Sequence, residues 1–154
     1  MSEIILNLPT ENATHEFGKS VSRFIEVGDI IYLSGDMGSG KTALARSIIR
    51  NLLPEELKKI EIPSPTFTLV QEYHCKEFNL AHIDLYRIKH SSELEALGIE
   101  DILEKGAILI EWPEKIERKL NYNILEIKFT QIDELRIVVI SNISGWSDRI
   151  NKIL

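Results

Sequence analysis

Apolar residues recur along this chain of 154 residues at the two spacings that distinguish helices from strands. Spacings of three and four residues predict helices at 11–24, from about 41 to 53, near 92–98 and at 99–105. Thr10 is placed to cap the first helix, Pro54 to end the second, and Ser92 with Glu95 has the spacing of a capping box. The capping residues and the proline therefore agree with the apolar spacing on where the first three helices begin or end.

Runs of apolar or alternating residues predict strands between and after these helices. They cover 30–33, 67–74, 78–85, 107–110, 125–129 and 135–143. The unbroken apolar run at 107–110 is typical of a central parallel strand buried on both faces. The last two runs, joined through 131–133, predict an antiparallel hairpin at the edge of the sheet. Together these elements predict an α/β fold with a central, mainly parallel sheet and flanking helices, in one domain over residues 1–154.

The segment between the strand at 30–33 and the next helix carries the strongest chemical signal. It reads Gly35-Asp36-Met37-Gly38-Ser39-Gly40-Lys41-Thr42, which matches the phosphate-binding pattern G-x-x-x-x-G-K-[ST]. The glycines let backbone N–H groups surround phosphate oxygens, and the helix start adds the positive end of its dipole. Lys41 is predicted to reach the β- and γ-phosphates, and Thr42 to be a ligand of Mg²⁺. A turn that only capped a helix would need one glycine, so we predict the P-loop NTPase fold.

Acidic residues at the ends of two predicted strands are candidates for the rest of a metal site, because ligands of parallel sheets lie beyond the carboxyl ends of the strands. Glu111 follows the apolar run at 107–110 and is placed first, for direct or one-water contact with Mg²⁺. Asp84 is placed second, as an outer group that orients ligands or a water. Either acid could instead be an exposed strand end. Thr66 lies in a Pro-bounded segment that is either a γ-phosphate sensor or a rigid connector.

Composition and charge narrow the functional classes. A net charge of −6 argues against a large surface for nucleic-acid phosphates, so if RNA is involved, another subunit would hold it. No apolar stretch reaches the roughly 20 residues that span a bilayer, and no signal-peptide pattern opens the chain, which favours a cytoplasmic protein. The single cysteine, Cys75, is expected to be a packing residue in a reducing compartment. The histidines lack metal-ligand spacing and are expected to be structural or exposed: His15, His74, His82 and His90.

Three functions suit a P-loop in a chain of this size: an ATPase, a small-molecule kinase and a GTP-dependent switch. A kinase usually adds a mobile lid that bears arginine, and no Arg-rich insertion is present. A GTP-dependent switch needs Asn-Lys-x-Asp to read guanine, whereas the only Asn-Lys, at 151–152, is followed by Ile153 and Leu154. These observations favour an ATPase and leave the kinase open.

Four blocks of the sequence resemble the TsaE (formerly YjeE) family in their order and spacing. They lie at 35–42, 64–70, 82–87 and 110–114. Ser-Pro-Thr-Phe-Thr in the second block and Glu-Trp-Pro in the fourth are specific to that family. The resemblance extends over roughly residues 5–140, so the role of the segment after Ile143 is open.

The resemblance implies a small bacterial ATPase that uses ATP and Mg²⁺ and serves as an accessory subunit in forming threonylcarbamoyladenosine at position 37 of tRNA. In that family the protein joins the TsaB and TsaD subunits and resets their complex by hydrolysing ATP. Contact with tRNA is then indirect, through these partners, and no membrane is involved.

Family roles carry over by motif to a set of residues in this chain. The resemblance implies that the phosphates are lined by Met37, Gly38, Ser39, Gly40, Lys41 and Thr42. Thr42 and Glu111 would hold Mg²⁺, while Asp84, Lys41 and the sensing loop with Thr66 would serve hydrolysis. Trp112 would lie close to the nucleotide, and Glu11, near the base, is the weaker candidate.

Overall fold

Helices and strands alternate through the part of the chain that the computed structural model describes, residues 3–117, 120–141 and 145–154. The strands are β1 (Ile4–Asn7), β2 (Asp29–Ser34), β3 (Val70–His74), β4 (Asn79–Asp84), β5 (Gly106–Glu111), β6 (Asn123–Ile132) and β7 (Leu135–Ser141). The α-helices are α1 (Glu11–Ser22), α2 (Lys41–Leu52), α3 (Ser91–Glu95), α4 (Ile99–Lys105) and α5 (Ser147–Ile153). Within these ranges the strands form a seven-stranded sheet in the order β1-β7-β6-β2-β5-β4-β3.

The centre of the sheet is parallel. β6, β2, β5 and β4 run in the same direction, whereas β7 and β3 run antiparallel to their neighbours. The predicted α/β fold, with its mainly parallel sheet, flanking helices and hairpin, is thereby confirmed. β1, for which no strand was predicted, pairs with β7 and becomes the outermost strand beside the hairpin. This topology brings the carboxyl ends of β2, β4 and β5 to one edge of the sheet.

The helices bury both faces of the sheet. α1 and α2 pack on one face, where Trp146, just before α5, joins the same apolar core. On the other face Ile99 and Leu103 of α4 pack against the buried side chains of β4 and β5. Among the described residues, no helix is long and apolar enough to cross a membrane.

Helix boundaries agree with the local signals in three places. The Thr10 hydroxyl oxygen accepts a hydrogen bond from the Ala13 amide at 3.0 Å, which caps α1. α2 ends at Leu52, two residues before Pro54, and α4 occupies the predicted range. A proline cannot donate the next backbone hydrogen bond, so the stop at the end of α2 follows from sequence alone.

The start of β3 and the position of the capping box differ from the predictions. β3 begins at Val70 rather than at residue 67, because Leu69 adopts a left-handed φ of +68° and its amide closes a turn onto the Pro65 carbonyl at 2.8 Å. The capping box lies earlier than Ser92, since the Glu93 carboxylate accepts from the His90 amide at 3.0 Å. β7 is described as far as Ser141, and residues 142–143 of the predicted strand lie outside the described residues.

Candidate nucleotide and metal site

The P-loop joins β2 to α2 at the carboxyl edge of the sheet. Gly35, Gly38 and Gly40 have φ values of +132°, +73° and +120°, which residues with a side chain rarely adopt. Two of these glycines also lie against Phe129 of β6. A Cβ on Gly35 would lie 2.7 Å from the Phe129 carbonyl oxygen, and one on Gly40 would lie 2.8 Å from its ring. The glycines are therefore required by backbone conformation and by space, and Phe129 forms the floor of the loop.

Lys41 begins α2 and is only 5% exposed. Its Nζ donates to the Gly35 carbonyl and, at 3.2 Å, to that of Asp36, and lies 3.8 Å from the centroid of the Trp112 ring. Burial lowers the pKa of Lys41, opposed chiefly by the nearby Glu111 carboxylate. The ammonium group is thus held inside the loop, where phosphate oxygens could replace the carbonyl oxygens as its partners.

Glu111 ends β5, and two donors hold its carboxylate. The Thr42 hydroxyl donates to Oε1 at 2.8 Å, and His82 Nε2 lies 2.6 Å from Oε2. Glu111 is 1% exposed and His82 is 0% exposed. Burial acts to raise the pKa of Glu111, but the hydrogen bonds from His82 and Thr42 and the charge of Lys41 hold this pKa below its usual value. The two donors favour the ionised form of Glu111, and the Thr42 oxygen keeps lone pairs for a cation.

Asp84 ends β4 directly beside Glu111, its partner across the parallel pair. Its Oδ2 accepts a hydrogen bond from the Thr66 hydroxyl at 3.0 Å, and its Oδ1 accepts one from the Tyr86 amide at 2.9 Å. The Asp84 amide in turn donates to the Leu69 carbonyl at 3.0 Å. The Pro-bounded segment is therefore tied to the end of β4 by side chain and backbone.

Trp112 turns the chain immediately after β5. Its φ of +60° and ψ of +50° are left-handed, which is uncommon for a bulky residue. The indole ring pairs with Tyr86 at a centroid distance of 5.0 Å and covers the Lys41 ammonium group. A cavity of about 1110 Å³ borders Trp112, and its lining includes Gly35 and Asp36 of the P-loop. Trp112 thus lies between the phosphate-binding loop and an open space of ligand size.

The donor atoms fit a phosphate-bound Mg²⁺ better than a metal held by protein alone. Ser39 Oγ is buried without a partner among the described residues, and it lies inside the loop, 2.9 Å from where a Cβ on Gly35 would be. Thr42 and Glu111 offer the oxygen ligands that Mg²⁺ prefers. In the described part of the chain, no group of three or more His, Cys, Asp or Glu residues is arranged to hold a metal. A Mg²⁺ ion would therefore need phosphate oxygens and water to complete its coordination.

The remaining candidates are exposed. Met37, at the tip of the loop, is 66% exposed. Glu11 is exposed at the start of α1, and its neighbouring strand β1 is separated from β2 by β7 and β6. Contact of Glu11 with the base stays a prediction. His82, which was expected to be structural or exposed, is buried against Glu111, and its spacing of two residues from Asp84 places both side chains on one face of β4.

A glycine-rich loop between a strand and the start of a helix has one common use in α/β proteins, which is to bind the phosphates of a nucleotide. Fold and site therefore define a P-loop protein of the nucleotide-binding class. The family model described as "Threonylcarbamoyl adenosine biosynthesis protein TsaE" matches residues 8–138, and the chain belongs to the TsaE family.

Individual relatives agree with this assignment. The tRNA threonylcarbamoyladenosine biosynthesis protein TsaE of Rickettsia felis is 38% identical over 130 residues, which cover 84% of this chain and 74% of that protein. The protein of the same name from Haemophilus influenzae is 36% identical over 121 residues, covering 75% and 74%. The crystal structure of Bacillus subtilis YdiB has the same fold, with a TM-score of 0.77 over 99% of this chain and 94% of that chain at 22% identity.

Proposed function

We propose that this protein is a Mg²⁺-dependent ATPase that serves as an accessory subunit in forming threonylcarbamoyladenosine at position 37 of tRNA. Family membership and the names of the relatives support the pathway. The ATPase proposal depends above all on the 2.8 Å hydrogen bond between the Thr42 hydroxyl and Glu111. This contact joins the P-loop to an acid at a strand end, as a Mg²⁺-nucleotide site requires.

Each side chain of the site has a distinct role in the proposed hydrolysis. Lys41 would bind the β- and γ-phosphates, with the loop amides on the remaining oxygens. Thr42 and Glu111 would hold Mg²⁺, which neutralises phosphate charge when bound. Asp84 would orient the attacking water, and Thr66, hydrogen-bonded to it at 3.0 Å, would sense the γ-phosphate. The water oxygen bonds to the γ-phosphorus as the bond to the β–γ bridging oxygen breaks, giving ADP and phosphate.

We further propose that the partners are the TsaB and TsaD subunits and that tRNA is reached through them, in the cytoplasm. Exposed apolar side chains support a partner surface at the site: Met37 is 66% exposed, Phe67 79% and Tyr86 41%. Large apolar side chains exposed on segments that border a site are typical of protein contacts. Hydrolysis would then reset the partner complex between rounds of modification.

ATP hydrolysis by the purified chain, measured as phosphate release with and without TsaB and TsaD, tests this function. GTP and candidate kinase acceptors are the controls, and Lys41→Ala is the matched inactive variant. We expect release from ATP that the partners stimulate. Transfer of the phosphoryl group to a small acceptor would favour the alternative, a P-loop kinase, and hydrolysis unaffected by the partners would contradict the accessory role.

A further inference from the structure

The Glu111 carboxylate accepts one hydrogen bond on each side, and its two donors come from different parts of the fold. Thr42 belongs to the P-loop, whereas His82 lies inside β4 and is fully buried. His82 Nε2 lies 2.6 Å from Oε2, and an imidazole with a hydrogen on Nε2 donates to a carboxylate oxygen at this distance. The His82 ring thereby fixes the rotation of the Glu111 carboxylate.

Simple packing does not account for histidine at this position. His82 Nδ1 is buried and has no partner among the described residues. An unpartnered buried nitrogen is unfavourable, and leucine or methionine would fill the space without that cost. The adjacent residues Ala81 and Ile83 are apolar, as the rest of a buried strand would be. Departures from apolar packing of this kind concentrate at functional sites.

We propose that His82 is a positioning residue that aligns Glu111 for Mg²⁺ without touching the metal or the nucleotide. The inference rests on the proposed Mg²⁺-nucleotide site. With Oε2 held by His82, Oε1 stays directed at the Thr42 hydroxyl, so that the Thr42 oxygen presents its lone pairs to the cation. Without His82 the carboxylate is free to rotate, and Thr42 loses its acceptor. Binding of the phosphates by Lys41 and the loop amides does not depend on this bond.

The effect of Mg²⁺ on nucleotide affinity tests the positioning role of His82. It is measured as the ratio of the ADP dissociation constant in EDTA to that in Mg²⁺, by calorimetry. His82→Leu should lower this ratio about 10-fold or more, as loss of a partner behind a metal ligand does, with little change in EDTA. His82→Gln can place an N–H near the Nε2 position and should restore the ratio, whereas the shorter His82→Asn should not. His74→Leu, at an exposed histidine on β3, is the matched control.

The outcomes separate this inference from the proposed function. No effect of Mg²⁺ on ADP binding in the wild type would overturn the proposed Mg²⁺ site. A clear effect in the wild type, together with an equal effect in His82→Leu and in His74→Leu, would overturn the role of His82 alone. If urea titrations show that His82→Leu is not folded, the comparison of His82→Gln with His82→Asn tests the role of His82 instead. Equal coupling in these two variants would then show that the N–H at the Nε2 position has no role.

Discussion

Replacing Arg149 by methionine should destabilise the protein, because this side chain joins α5 to the start of β2. Its Nη1 and Nη2 donate to Asp29 Oδ2 and Oδ1 at 2.6 and 3.0 Å. The same nitrogens donate to the Phe24 carbonyl at 2.7 Å and to the Gly145 carbonyl at 3.0 Å. The guanidinium group also lies 3.8 Å from the centroid of the buried Trp146 ring. One side chain therefore connects the C-terminal segment to the distant connection between α1 and β2.

The magnitude follows from the burial of this ion pair. The side chain of Asp29 is 1% exposed and that of Arg149 is 13% exposed, so Arg149→Met leaves a buried carboxylate without its counter-charge. Loss of one partner of a buried pair costs about 3–5 kcal/mol. Asp29 keeps the hydrogen bond from the Glu26 amide at 2.7 Å, which favours the lower half of that range. At 2–4 °C per kcal/mol, the melting temperature should fall by about 6–16 °C.

Urea unfolding, followed by circular dichroism, measures the free energy of unfolding of Arg149→Met, Asp29→Asn and the double variant. The double variant should lose less stability than the sum of the two single variants, because no buried charge is left alone. Arg149→Lys should be intermediate, since an ammonium group cannot make the bidentate contact. A loss below about 1 kcal/mol for Arg149→Met, or strict additivity in the cycle, would refute this reasoning.

Three further outcomes are expected. Lys41→Ala should abolish ATP turnover because the phosphates lose their charged partner; unchanged hydrolysis would contradict the P-loop assignment. Glu111→Ala should weaken Mg²⁺-dependent nucleotide binding more than Asp84→Ala, because only Glu111 is bonded to the P-loop hydroxyl; titrations with and without Mg²⁺ give the order, and equal or reversed losses refute it. Burial raises the pKa of Cys75 to about 11, so its thiolate is scarce at pH 8. Iodoacetamide should react much more slowly with the folded chain than in urea, and equal rates would rule out a buried thiol.

Features that depend on one continuous segment could be predicted from the sequence. The P-loop has its strand, its glycines and its helix start in succession, and the structure places all three as expected. The apolar run before Glu111 indicated a central strand, and β5 is buried along its length. Asp84 and Glu111 could both be placed at one edge of the sheet in advance, because the carboxyl ends of parallel strands meet there.

Features that depend on contacts between distant segments could not be predicted from the sequence. Phe129 carries no local sign that it supports two glycines, and a lone histidine such as His82 reads equally well as a core residue or a surface residue. The register of β4 against β5 is what brings Glu111 beside Asp84 and within reach of His82. α5 is a single short helix of 7 residues, and only Arg149 and the core around Trp146 show why it is held in place.

The position of Phe129 under the P-loop has a consequence for synthesis on the ribosome. The loop and both strand-end acids have been translated by residue 111, but the floor against which Gly35 and Gly40 fit belongs to β6. A nascent chain that has emerged only through β5 would carry every phosphate-binding residue without the surface that shapes them. Under the proposed function, nucleotide binding would therefore wait until β6 has been made and has paired with β2.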